Sequence, residues 1–172
     1  DHADKVIYIN AFTKSLAPSL RISYLVLPPP LMERYREKFM FYSCTVPNFE
    51  QYTLYRFLHG GYFERHLNRM RNACKERRDL FITLLKDSRL GEVAEPVGAE
   101  AGLHFLLRVN NGMSERDLTE RAAEKRVRLR GLSEYYSPPP VAYTQSALVI
   151  GYAGLAPEHL PDALRRLEDA WL

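Results

Sequence analysis

The sequence predicts an α/β fold in which a short strand-bearing segment precedes a smaller α+β unit. Three observations predict it. Two runs, VIYINA (6–11) and ISYLVLP (22–28), are rich in β-branched and aromatic residues and apolar almost throughout, as strands buried inside a sheet are. The longest helical pattern follows, over 62–87. Beyond it the rhythm changes to short strands and short helices.

Each element has its own signal. Pro28, Pro29 and Pro30 stop the second strand, and Pro30 opens an amphipathic helix over Leu31–Phe41. Pro47-Asn48-Phe49 marks a turn with Asn48 as the expected N-cap. A helix over Phe49–His59 ends at Gly60-Gly61. In the long helix Phe63, Leu67, Met70, Cys74, Phe81 and Leu85 recur at helical spacing, while Arg65, Arg69, Arg71, Lys75, Arg77 and Arg78 fill its other faces. HFLLRV (104–109) is a strand, and Asn110-Asn111-Gly112 a turn. Ser114-Glu115-Arg116-Asp117 resembles a capping box with Asp in the place of Glu, and opens a helix to about Lys125. RVRLR (126–130) alternates strictly, which predicts a strand with Arg126, Arg128 and Arg130 on one face. Ser137-Pro138-Pro139-Pro140 belongs to a loop, and SALVIGYAGL (146–155) contains a strand. Pro157–Leu172 reads as a terminal helix with Leu160, Leu164, Leu167 and Trp171 inward.

Gly60-Gly61 divides the chain into 1–60 and 61–172. The second unit has its own candidate core in Leu67, Met70, Phe81, Leu85, Phe105, Leu107, Leu118, Val149, Leu164 and Leu167, and could fold alone. The two strands of 1–60 lack neighbours. They are expected to leave exposed edges and to pair with another chain or stay partly disordered.

Composition narrows the function classes. Of 172 residues, 46% are hydrophobic and 26% charged, which is ordinary globular usage, and a net charge of +3 does not by itself imply nucleic acid. Cys44 and Cys74 form no CxxC and no metal-spaced cluster, so no metal site is expected, and both read as buried apolar residues. No apolar run reaches membrane-spanning length, and DHADKV is no signal peptide, so a cytoplasmic protein is the default. The start at Asp1, almost at once into a strand, suggests a piece of something larger. The acidic residues Glu64, Glu76 and Asp79 break up the charge of the helix at 65–78, which argues for a packed helix over a DNA contact. His66 and His104 have no partners at metal spacing, Tyr135-Tyr136 read first as aromatic packing, and Ser15 forms no triad with the scattered histidines.

The chemistry concentrates in FTKSLAPSLR (12–21), between the two apolar strands. A deprotonated lysine can hold an aldehyde as a Schiff base, and partial burial or a neighbouring cation favours that state. An arginine offers a forked donor for phosphate. Hydroxyls such as Thr13 and Ser15 can add hydrogen bonds. Together they suit an aldehyde and a phosphate ester on one molecule, as in pyridoxal 5'-phosphate (PLP). By spacing alone, Lys14 and Arg21 read as two exposed charges on a turn.

The wider stretch YINAFTKSLAPSLRISYLVLP resembles the lysine strand of fold-type I PLP enzymes, the aminotransferase superfamily, and most closely its branch in MocR/GabR-type transcriptional regulators of the GntR family. YFERHLNRMRNACKERRD (62–79), AGLHFLLRV (101–109) and VRLRGLSEYY (127–136) agree with the same branch. The resemblance implies the C-terminal part of an aminotransferase-like domain: two strands of the large-domain sheet plus the small domain. It implies that Lys14 holds the cofactor aldehyde, that Arg21 binds its phosphate and that Thr13 assists. Ala11 departs from the common pattern, which has a hydroxyl residue there, and Asn10, Ser19 and Ser23 stand where glycines are usual. The family's aspartate for the pyridine nitrogen lies upstream of the lysine strand, so Asp1 and Asp4 are not expected to supply it. Its DNA-binding winged helix-turn-helix lies upstream too.

Aminotransferases also carry a carboxylate-binding arginine on a small-domain strand near the C-terminus. Here that strand reads Ala147-Leu148-Val149-Ile150, without an arginine. Arg130, then Arg128, is the expected replacement, the plain alternative being a charged edge strand. The loss suggests a ligand other than a simple α-amino acid, or no turnover. The resemblance thus implies a homodimeric regulator that senses an amino-acid or amine effector and does not span a membrane, the segment itself being inactive. Two alternatives stay open: the C-terminal part of an active class I/II aminotransferase, or a structural, dimerising segment without cofactor.

Overall fold

A computed structural model of the chain describes residues 3–137 and 146–172, so Asp1 and the prolines at 138–140 lie outside the described residues. The chain forms two compact units, Asp1–Met70 and Arg71–Leu172. Gly60-Gly61 is the turn between two helices, and the division falls ten residues later, inside the long one.

Unit 1 holds strands β1 (Tyr8–Ala11) and β2 (Ser23–Val26), then helices α1 (Pro29–Phe39) and α2 (Asn48–His59) and the start of α3 (Tyr62–Asp87). β1 and β2 pair antiparallel with each other, Tyr8 opposite Val26 and Ala11 opposite Ser23. Their outer edges pair with no further strand among the described residues, as the expectation of exposed edges has it. The strands are also exposed along their whole length, where the apolar runs predict burial. A two-stranded ribbon covers neither of its own faces, and Ile9 stays 70% exposed. Among the described residues of unit 1, only Ile22 and Pro28 are buried. Asn48 is the first residue of α2 rather than its cap: Pro47 holds the capping position, with no side-chain hydrogen bond. Cys44 is exposed, against the expectation of burial, and Cys74 is buried.

The described residues of unit 2 form a four-stranded antiparallel sheet in the order β3-β4-β6-β5, with the rest of α3 and two further α-helices. Its strands are β3 (Ala94–Val97), β4 (His104–Val109), β5 (Arg130–Gly131) and β6 (Ser146–Gly151); its helices are α4 (Glu115–Glu124) and α5 (Leu160–Trp171). β3 escapes the sequence reading because Pro96 argues against a strand. Pro is nonetheless tolerated on an edge, and β3 is an edge. Phe105, Leu107 and Val109 alternate into the core from β4, and Leu148 and Ile150 join them from β6. Phe81 and Leu85 of α3 and Leu160, Leu164, Leu167 and Trp171 of α5 close the core, as their spacing predicts. Val149, expected in this core, is half-buried. Trp171 donates its indole N–H to the Leu118 carbonyl at 3.0 Å, which satisfies its one polar side-chain atom in the interior.

The capping box of α4 forms as its sequence predicts. Asp117 N–H donates to Ser114 Oγ at 3.1 Å, and Ser114 N–H donates to Asp117 Oδ2 at 3.3 Å. The Ser114 hydroxyl, and then its backbone N–H, hold the Asp117 carboxyl below its usual range. Ser114→Ala is expected to lower stability by about 1 kcal/mol, read as a lower urea midpoint; an unchanged midpoint would refute the assignment.

The far end of α4 corrects the strand expected over 126–130, of which only Arg130 is in a strand. Arg126 has φ 63°, its N–H donates to Ala123 O at 2.9 Å, and Val127 N–H donates to Ala122 O at 2.8 Å. This is a Schellman cap, and it consumes the residues whose alternation looked like a strand. A non-glycine residue in this left-handed region is strained, so Arg126→Gly is expected to raise stability by about 0.5–1 kcal/mol. A lowered thermal midpoint would contradict that.

Candidate functional site

The residues singled out for chemistry lie on one loop of unit 1 and at the start of β5 in unit 2. In unit 1 the β1–β2 loop carries Thr13, Lys14 and Arg21. Its neck is closed where Phe12 N–H donates to Ile22 O at 3.0 Å, and a turn forms inside it where Leu16 N–H donates to Phe12 O at 2.8 Å. The Thr13 hydroxyl donates to Leu20 O at 3.4 Å and the Ser15 hydroxyl to Phe12 O at 3.5 Å. Both hydroxyls thus tie the loop to itself. Phe12 packs on Tyr24 and on Phe63 of α3, with ring centroids 5.5 and 5.9 Å away, and so anchors the backbone two residues before Lys14.

Lys14 and Arg21 are exposed, and neither has an ion-pair or hydrogen-bond partner among the described residues. Ser19 does not adopt a positive φ, so serine is no strain where the common pattern has glycine. Two apolar clefts flank the loop. One, of about 660 Å³, lies against Leu16, Leu20, Phe49 and Phe57; the other, of about 600 Å³, against Phe12, Ile22, Leu54 and Phe63. Neither is lined by Lys14 or Arg21.

In unit 2, Arg130 sits on β5 directly opposite Val149 of β6. Cross-strand partners project to the same face. Arg130 therefore stands beside the strand that lacks the expected arginine. Arg128 lies two residues earlier, outside any strand. Both are exposed, and neither side chain has an ion-pair or hydrogen-bond partner among the described residues. Two carboxylates hold the backbone just beyond Arg130: Glu134 Oε1 accepts Gly131 N–H at 3.0 Å, and Glu115 Oε2 accepts Ser133 N–H at 3.0 Å. Nothing in the local sequence flags Glu115 for this, since its partners are 18 and 32 residues away.

Tyr135 and Tyr136 are 60% and 50% exposed. His66 packs edge-on against Phe57, and His104 is exposed on β4. Several cations of α3 have structural uses: Arg65 lies 4.7 Å over the Tyr62 ring, Arg77 donates to Ala153 O, and Arg78 donates to Asp79, Ala99 and Glu100. Among the described residues, no three His, Cys, Asp or Glu side chains gather as a metal ion would need, and no helix is long and apolar enough to cross a membrane.

No family model matches the chain. It is 34% identical over 171 residues, 99% of its length, to the uncharacterized HTH-type transcriptional regulator YdeL of Bacillus subtilis, of which it covers 36%. It is 30% identical over 174 residues, 100% of its length, to the probable rhizopine catabolism regulatory protein MocR of Rhizobium meliloti, of which it covers 34%. The chain thus spans about a third of the curated relatives it matches. Among solved structures it superposes with a TM-score of 0.79 on LysN, the α-aminoadipate aminotransferase of Thermus thermophilus, complexed with N-(5'-phosphopyridoxyl)-L-leucine. That match is 23% identical and covers 96% of this chain and 41% of LysN. By sequence the chain is similar along its whole length to HTH-type transcriptional regulators, MocR among them, and its fold is that of part of a fold-type I aminotransferase.

Proposed function

We propose that this chain is the C-terminal part of the PLP-binding, effector-sensing domain of a MocR-type regulator of the GntR family. The observation that carries the reading is the full-length similarity to such regulators, with Lys14 and Arg21 unpartnered among the described residues on one tied loop. The residues offer the groups the cofactor needs, a primary amine for its aldehyde and a guanidinium for its phosphate, both accessible to a ligand. Thr13 assists mainly by tying the loop, because its hydroxyl proton already serves Leu20 O. PLP, when bound, supplies an electron-withdrawing ring and a carbonyl that reacts with amines. Arg130, with Arg128 second, orients the carboxylate of an amino-acid effector. The regulator works as a homodimer and binds DNA through an N-terminal winged helix-turn-helix outside this chain. The effector changes operator affinity to the extent that it binds the two DNA-binding states unequally.

The test is cofactor uptake by the full-length protein. Added PLP is expected to give a near-visible absorption band, and borohydride is expected to fix the cofactor on the Lys14 peptide. Arg21→Ala should weaken uptake by roughly 10- to 100-fold, the size of one lost charge-assisted phosphate contact. No band, or equal affinity in the Arg21 variant, would sink the reading.

A further inference from the structure

Resting on the assignment of Arg130 to the effector carboxylate, we propose that Glu115 is a positioning residue for Arg130. It sets the preference of the site for carboxylate-bearing ligands over the corresponding amines.

β5 is only two residues long, yet it must hold Arg130 in register on β6. Its ladder pairs Arg130 with Val149 and Gly131 with Leu148, and stops there. Glu115 continues it. One carboxylate oxygen accepts Ser133 N–H at 3.0 Å, just past β5, and the other accepts Ala147 N–H at 3.1 Å, on β6 just past the last paired residue. A single side chain on α4 therefore bridges the two strands where their own pairing ends. Hydrogen bonds to a carboxylate are stronger than neutral ones, and Glu115 opens α4, where negative charge is favoured. Gly131 is what lets it approach: a Cβ there would lie 2.5 Å from Glu115 Oε2. Glu134 fixes the Gly131 N–H independently at 3.0 Å. The backbone just beyond Arg130 is thus held by two carboxylates, one from α4 and one from its own segment. Glutamine at 115 keeps the size but offers one carbonyl for two N–H groups, and turns an NH₂ toward a donor.

The experiment uses the full-length protein as wild type, Glu115→Gln and Arg130→Ala. Hydrogen exchange is expected to quicken at Ser133 and Ala147 in Glu115→Gln by on the order of tenfold, with Phe105 and Leu107 unchanged. Affinities are then measured for the common amino acids, each paired with the amine that lacks its carboxyl group. Glu115→Gln should lower the preference of wild type for the acid by about tenfold, one hydrogen bond's worth, with the amines unaffected. In the Arg130→Ala background the same change should have no further effect on that preference. Unchanged exchange at Ser133 and Ala147 would overturn the bridge. Faster exchange with an unaltered acid-to-amine ratio would make Glu115 merely structural and overturn the proposal. A wild type without preference for the acids, or an Arg130→Ala protein that keeps that preference, would overturn the Arg130 assignment, and this inference with it.

Discussion

Alanine in place of Lys14 is expected to abolish covalent uptake of PLP while leaving the fold unchanged. The two halves of that expectation have separate grounds. Lys14 is exposed and has no partner among the described residues. The loop around it is held by the Phe12–Ile22 and Leu16–Phe12 backbone bonds and by the Thr13 and Ser15 hydroxyls, none of which uses the lysine side chain. Truncation should therefore change stability by less than about 0.5 kcal/mol. The covalent bond, by contrast, has no substitute, since a guanidinium is too weak a nucleophile at neutral pH. Lys14→Arg separates charge from chemistry: it keeps the cation on the loop that carries Arg21 and should lose the near-visible band as completely as Lys14→Ala. Both variants should retain weak, reversible PLP binding through Arg21, so gel filtration should strip the cofactor from them and not from wild type. A band that survives in either variant would refute the role of Lys14.

The same loop shows what a sequence can carry. The roles proposed for Lys14 and Arg21 rest on their resemblance to a known lysine strand, where a covalent anchor and a phosphate fork demand particular residue types. By spacing alone they were two charges on a turn. Glu115 was not legible. The part proposed for it depends on backbone groups at 133 and 147 that only the folded sheet brings to it. The small-unit core was largely readable, because helical and strand periods both report one-sided burial: α5 buries Leu160, Leu164, Leu167 and Trp171 as spaced. Two local patterns misled for definable reasons. The alternation RVRLR begins inside a helix cap, where Arg126 reverses the chain before any strand can form. In β1 and β2 the apolar runs specify faces that want cover but not what supplies it, so exposure of both faces could not be read from them.

The largest loss of stability is expected at Phe105. This ring is 2% exposed at the centre of unit 2. It meets Phe81 of α3 edge-on at 5.2 Å and stacks against Tyr152 at 5.7 Å, so it joins helix, sheet and the loop after β6. Tyr152 is fixed in turn, its hydroxyl donating to Gly102 O at 2.7 Å, and burial raises its pKa. With partners held on several sides, the space left by Phe105→Ala cannot close by small shifts. The substitution is expected to cost about 3–5 kcal/mol, a lost transfer energy plus a persistent cavity. Phe105→Leu keeps most of the volume but loses the ring contacts, and should cost about 1–2 kcal/mol. Urea unfolding followed by far-ultraviolet circular dichroism measures both. A cost below about 1 kcal/mol for the alanine variant would mean that the α3–β4 contact is not the centre of this core. Because Phe105 shares β4 with Leu106, opposite Val149, its loss should also loosen the register of β6 and, through it, of Arg130. Weakened amino-acid binding in Phe105→Ala is therefore expected to recover with added osmolyte, which restores the fold, whereas the defect of Arg130→Ala should not.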